Sequence, residues 1–135
     1  MKINLSNPNP STRFYFDDDD HSRGWVELRI CSPEEMSKID KQTVKKRNEY
    51  RRGQRYEIED TNEKARNRLL WDVLISDWGG IVDEKDKQIK CTTENKELLM
   101  LTSVKFALFV GNKMEELSEG TGDQFEEQEK NLSST

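Results

Sequence analysis

Hydrophobic residues are few in this chain, and they are clustered. That clustering limits the possible folds more than any other feature. They make up 32% of the sequence and gather in three stretches, Trp25 to Ile30, Leu69 to Val82 and Leu98 to Leu117. In 135 residues, 36% of them charged, this is enough apolar surface for one modest core and no second one. The clusters predict a single α+β domain over residues 14–118. A flexible N-terminal arm over 1–13 precedes it and a disordered acidic tail over 119–135 follows. Two of the three prolines lie in the arm among Asn and Ser, a composition that buries too little surface to order itself.

Within the domain the periodicities predict a small antiparallel sheet packed against three to four short helices. A first strand is expected from Phe14. In Trp25 to Ile30 the apolar Val26, Leu28 and Ile30 alternate with Glu27 and Arg29, the period of a half-buried strand. Ser32-Pro33-Glu34-Glu35 reads as a helix start. Ser32 can cap a free N–H, Pro33 suits the first helical position and Glu35 completes a capping box, so a helix should run to about Gln42. Between Val44 and Asp60, Tyr50 and Tyr56 flank Arg51-Arg52-Gly53-Gln54, where glycine can supply a positive φ. A basic β-hairpin is the favoured reading and a continuous helix the competing one. Asp60, Thr61 or Asn62 should cap a second helix. Its apolar positions from Leu69 to Trp78 cover most of its circumference, which makes it the expected central buried element, with Gly79-Gly80 as its stop. A small second hairpin is expected around Ile81-Val82 and Gln88-Ile89. After it should come a short helix capped at Thr92 or Thr93, then another carrying Val104, Phe106, Ala107, Val110, Met114 and Leu117.

Charge is distributed in blocks. The net charge is −5, yet Lys38 to Arg55 holds eight basic residues against Asp40 and Glu49. Glu115 to Lys130 holds seven acidic residues against Lys130, so pairing between the two blocks is physically available. Within the basic block Lys45, Lys46, Arg47, Arg51, Arg52 and Arg55 are the candidate partner-binding residues. Phe125 joins them as an isolated apolar anchor in the acidic tail, of the kind that orders on a partner. Arginines with interleaved tyrosines also suit nucleic acid, but Glu49, Glu57, Glu59 and Asp60 lie in or beside the same segment, so nucleic acid is the minor reading.

Catalytic chemistry has little to draw on. The single histidine, His21, follows Asp17 to Asp20, and no triad can be assembled around it. The aspartates lack the pattern of a calcium loop and read as a solvated turn. Gly79-Gly80 has no phosphate-loop context. Cys31 and Cys91 stand sixty positions apart with no companion ligands, which suggests reduced, half-buried thiols and neither a zinc site nor a disulfide scaffold. The expectation is a non-enzyme with no cofactor and no metal. The longest apolar run, Phe106 to Val110, is far short of the roughly 20 residues that cross a bilayer, and Met1 to Ser11 has no apolar signal-peptide core. A cytoplasmic protein with no membrane contact is expected.

Several segments carry a resemblance when read together. They are Trp25-Val26-Glu27-Leu28-Arg29, Thr43-Val44-Lys45-Lys46, Glu49 to Glu57, Leu69-Leu70-Trp71-Asp72, Asp77-Trp78-Gly79-Gly80-Ile81-Val82-Asp83 and Cys91-Thr92-Thr93-Glu94-Asn95-Lys96. In that order, from about Tyr15 to Leu117 and with an acidic tail behind, they resemble small tail-module proteins of tailed bacteriophages and prophages, the tail assembly chaperones. The resemblance implies a factor of the bacterial host cytoplasm that coats the phage tape-measure protein and helps tail-tube subunits polymerise, with self-association possible. The family has no active-site motif, so it contributes no functional residues. A nucleic-acid-binding protein and a minor structural virion component, such as a head–tail connector, stand as alternatives.

Overall fold

The computed structural model describes residues 1–120, with the last helix assigned as Val104–Ser133. Among the described residues the fold is α+β, with two small antiparallel sheets, four α-helices and a short 3-10 helix at His21–Arg23. Strands β1 (Thr12–Tyr15), β2 (Trp25–Leu28) and β5 (Ile75–Gly79) form one sheet in the order β1-β2-β5. Strands β3 (Val44–Arg51) and β4 (Gln54–Thr61) form a separate two-stranded hairpin. The helices are α1 (Pro33–Thr43), α2 (Glu63–Leu74), α3 (Thr93–Thr102) and α4 (Val104–Ser133).

The core lies between one face of the three-stranded sheet and α4. Val26 and Leu28 of β2, Ile75 and Trp78 of β5, and Phe106 and Val110 of α4 are buried together. Full burial of such side chains stabilises by about 1.5–3 kcal/mol each. With so few of them, the half-buried Phe14, Phe16, Leu99 and Met114 around the cluster carry a large part of the packing. Trp78 is fixed on two sides. Its indole N–H donates to the Ile89 carbonyl at 2.7 Å, and its ring meets Phe106 edge-on at 5.6 Å.

Local signals place α1 as the sequence predicts. Ser32 Oγ accepts from Glu35 N, and Glu35 Oε1 accepts from Ser32 N at 3.1 Å, the reciprocal pair of a capping box. The basic hairpin also forms. Arg52 and Gly53 both have positive φ, 52° and 77°, as a two-residue type I′ turn requires, and Arg51 pairs with Gln54. β1 begins at Thr12, two residues earlier than Phe14, because Thr12 and Arg13 continue the ladder opposite Leu28 and Glu27.

The second helix departs from expectation. Asn62 caps it by accepting from Ala65 N, but α2 ends at Leu74 and none of its residues is fully buried. Ile75 to Gly79 is the strand β5. Trp71 and Trp78 therefore do not share a helix face, and Gly79-Gly80 closes a strand instead of a helix. The reason is a β-bulge. Glu27 pairs with Asp77 and Leu28 with Ile75, which leaves Ser76 as an extra residue. The bulge turns Ile75 and Trp78, three apart, toward the same core. A spacing of three mimics a helix in the sequence.

Gly24 and Gly80 allow the sheet to close at this end. Both have positive φ, and a Cβ on Gly80 would stand 2.6 Å from the Gly24 Cα. The second hairpin reduces to one bridge, Val82 with Gln88, around a turn in which Asp83 Oδ1 accepts from Lys85 N and Lys87 N. Thr92 caps α3 and Ser103 Oγ receives Phe106 N at the start of α4. α4 continues past Leu117, since Ser118 to Gly120 are still helical. From residue 121 on, the expected acidic tail lies outside the described residues.

Candidate interaction surfaces

The hairpin β3–β4 holds all six described candidate cations. At about 3.3 Å per residue, its eight-residue strands make an arm about 25 Å long. Only Val44, Glu49 and Ile58 among its strand residues are half-buried, and the others are exposed. Alternation divides it into two faces. Lys46, Asn48, Tyr50 and Arg55 lie on one, and Lys45, Arg47, Glu49, Arg51 and Tyr56 on the other.

The register determines how much of this charge is free. Lys46 faces Glu57 at 3.7 Å and Glu59 at 4.0 Å. Arg47 binds Asp60 at 2.6 Å and lies 3.7 Å from Glu49. Arg51 Nη2 donates to Glu49 at 3.0 Å, and Arg55 Nε to the neutral Asn48 side chain at 3.0 Å. Among the described residues Lys45, Arg52 and Arg55 thus face no carboxylate within ion-pair distance. The arm's base is a mixed-sign surface, and its tip, Tyr50 to Arg55, is basic and aromatic. Such exposed pairs contribute about 0–1 kcal/mol each, so they set charge pattern more than stability. The remaining candidate, Phe125, lies outside the described residues.

Two further surfaces stand out that were not assigned from sequence. Leu98 and Leu101 of α3 and Val104 and Leu108 of α4 are 53%, 61%, 74% and 62% exposed. They cluster where α3 passes into α4. Ser103, with extended backbone, separates the α3 pair from the α4 pair, and the helix-like spacing 98, 101, 104, 108 means that the sequence alone does not separate these exposed residues from the packed set Phe106, Val110, Met114.

The second surface is a groove of about 790 Å³ between the Asp17–Asp20 loop, the β5 exit and the start of α4. Phe16, Ile81, Phe106 and Phe109 give it an apolar floor. Asp17, Asp18 and Asp19 stand on its rim with Arg23 and Lys105. The aspartates are partly used to shape their own turn. Asp17 accepts from Asp19 N at 2.9 Å, and Asp20 accepts from the Ser22 hydroxyl and backbone N–H, which hold its carboxyl below the ordinary range. Arg23 lies 3.6 Å from Asp17 and 3.5 Å from Asp20. His21 stacks on Tyr15 at 3.6 Å. Among the described residues no group of three or more His, Cys, Asp and Glu side chains is placed to hold a metal ion.

The other titratable groups knit the fold together. Burial raises the Asp72 carboxyl, but hydrogen bonds from Lys96 and Thr93 outweigh it and leave it below its ordinary value. That cluster ties α2 to α3, with Lys96 Nζ donating to the Asp72 carbonyl and carboxylate, each at 3.1 Å. Burial pushes both the Cys31 and Cys91 thiols up, away from the reactive thiolate form.

The exposed hairpin arm and the exposed apolar side chains of α3 and α4 are the most prominent surface features of the described residues. The family model described as YdaY prophage protein matches residues 34–131. This chain belongs to the YdaY prophage protein family. The matched span of this YdaY-family protein takes in the whole hairpin, α2, β5 and α3, together with the apolar strip. Neither the curated proteins nor the solved structures contain a match. Among the described residues no helix is long and apolar enough to cross a membrane.

Proposed function

We propose that this prophage protein is a non-enzymatic tail assembly chaperone, which binds the phage tape-measure protein, tail-tube subunits or both in the host cytoplasm during tail morphogenesis. The observation that carries the reading is the strip Leu98, Leu101, Val104 and Leu108, each more than half exposed on a chain otherwise rich in surface charge. Exposed apolar residues gathered in one place mark contact surfaces. A long tape-measure chain presents helical apolar segments that need cover before the tube encloses them. The hairpin offers a second, polar contact that sets register and specificity more than affinity.

The test is co-expression with the tape-measure protein of the same genome. The intact chain should raise the fraction of tape-measure protein that stays in solution and should co-purify with it. Leu98→Glu combined with Leu108→Glu should abolish both effects while leaving the thermal midpoint little changed, because both side chains are more than half exposed. Absence of any effect from the intact chain, with the chain found in purified virions, would replace this reading with that of a structural tail or connector component. Steeply salt-dependent binding to DNA, lost with Arg52→Glu and Arg55→Glu, would replace it with a nucleic-acid reading.

A further inference from the structure

We propose that the groove beside the Asp17–Asp20 loop receives the hairpin tip of a second copy of this chain, so that copies associate head to tail. The groove defines its occupant by chemistry. An apolar, aromatic floor of Phe16, Ile81, Phe106 and Phe109 under an acidic rim suits an aromatic side chain flanked by cations. Its volume of about 790 Å³ falls within the range of sites that enclose a few side chains.

The chain carries such an occupant. At the tip, Tyr50 is 71% exposed beside Arg51, Arg52 and Arg55, and among the described residues Glu49 is the one carboxylate paired there. On the groove side, Arg23 is shared between Asp17 and Asp20. Among the described residues Asp18 and Asp19 face no cation within ion-pair distance, and the three aspartates lining the groove outnumber its two cations, Arg23 and Lys105, by one. The two surfaces are opposite in sign, and among the described residues no ion pair joins them within one chain. The arm stands about 25 Å long, at ~3.3 Å per residue, with little packed behind it, so it can reach a neighbouring copy without rearranging the core.

Because the tip and the groove are different patches, the contact is heterologous. Copies add in series unless the rotation closes a ring. A tip in a groove buries less than a standard interface of about 800 Å² per partner, so a weak, reversible association is expected. It should weaken sharply with salt, since the Debye length shrinks from about 14 Å at 50 mM to about 4 Å at 500 mM. This inference does not depend on the tape-measure reading.

The experiment is sedimentation velocity on the full chain over a micromolar concentration series. The wild type should associate beyond the dimer at low salt, with at least about a tenfold weaker association constant at about 500 mM salt. Two variants separate the halves of the contact: Arg51→Glu/Arg52→Glu/Arg55→Glu in the tip, and Asp18→Lys/Asp19→Lys on the rim. Each should be monomeric alone and keep the wild-type circular dichroism, because all five side chains are exposed. Mixed, they retain one intact tip and one intact groove, so they should form a one-to-one dimer and nothing larger. Combining all five substitutions in one chain should restore association with reversed polarity. A wild type that stays monomeric throughout overturns the proposal. So does association that neither variant alters, or that is insensitive to salt and lost with Leu98→Glu/Leu108→Glu.

Discussion

The ion pair at the start of α1 gives a prediction whose size and pH dependence both follow from geometry. Arg29 grips Glu35 with two parallel hydrogen bonds, Nη1 to Oε1 at 2.8 Å and Nη2 to Oε2 at 2.6 Å, and the two side chains are only 26% and 30% exposed. The Arg29 hydrogen bonds, working against a smaller desolvation cost, hold the Glu35 carboxyl down at about 2 from an ordinary 4.5. At about 1.4 kcal/mol per pH unit of displacement, the ceiling is about 3 kcal/mol. Screening at a partly exposed site lowers this, and a hydrogen bond to a charged group is worth about 1.5–3 kcal/mol. Glu35→Gln keeps the reach back to Ser32 N that a capping box needs and removes only the charge. It should cost about 1.5–2.5 kcal/mol at pH 7. The sign follows from linkage: a depressed carboxyl stabilises fully above its unfolded value and loses that contribution as pH falls through its folded value. The gap between wild type and Glu35→Gln should therefore be constant from pH 7 to about pH 5, narrow below about 4.5, and close near pH 2. Urea titrations followed by tryptophan fluorescence at a series of pH values measure it. A gap that does not change with pH, or no gap at pH 7, would refute the assignment of the stability to this charge pair.

Four further substitutions probe the packing. Lys96→Met keeps the volume and loses both Lys96 Nζ hydrogen bonds to Asp72, so chemical denaturation should show a loss of about 1–3 kcal/mol. Trp78→Phe keeps an aromatic ring against Phe106 but leaves the Ile89 carbonyl without its indole donor. Calorimetry should show a lower thermal midpoint and a loss of about 1–3 kcal/mol. Gly80→Ala meets the Gly24 backbone at 2.6 Å, whereas Gly53→Ala meets nothing within 4 Å. Both adopt a strained positive φ, so Gly53→Ala should cost about 1 kcal/mol. Gly80→Ala should cost clearly more, and parallel urea melts with equal penalties would refute the close-approach argument.

What the sequence reveals of this fold depends on how local the determinant is. The start of α1 is readable because Ser32, Pro33 and Glu35 act within one turn of helix. The hairpin is readable because Arg52-Gly53 alone satisfies its turn. β5 is hidden because the extra residue Ser76 converts the strand's spacing of two into a helix-like three, and the residue's role exists only through pairing with β2. The same divide runs through the contact surfaces. Lys45 to Arg55 announce themselves by composition, but the diagonal contacts that neutralise Lys46 and Arg47 depend on the register with β4. The groove is drawn from four separate stretches, around Phe16, Arg23, Ile81 and Phe106, and no window of sequence contains it.

The hairpin is costly to hold for a chain with so small a core. A two-stranded sheet alone is marginal in water, and this one has little apolar packing beneath it. What fixes it is its root. Val44 N–H donates to the Asp40 carbonyl as α1 ends, and Asn62 N–H donates to the Thr43 carbonyl at 2.8 Å as α2 begins. The arm's direction is thus set by two helices, while cross-strand pairs worth about 0.2–1 kcal/mol each hold its length. Its outer side chains are then free of packing constraints, and this chain fills them with arginines, lysines and two tyrosines instead of the small polar residues that would suffice for a turn. A rigidly rooted arm with a basic, aromatic tip makes physical sense as something that reaches into another surface, as the proposed contact between tip and groove requires.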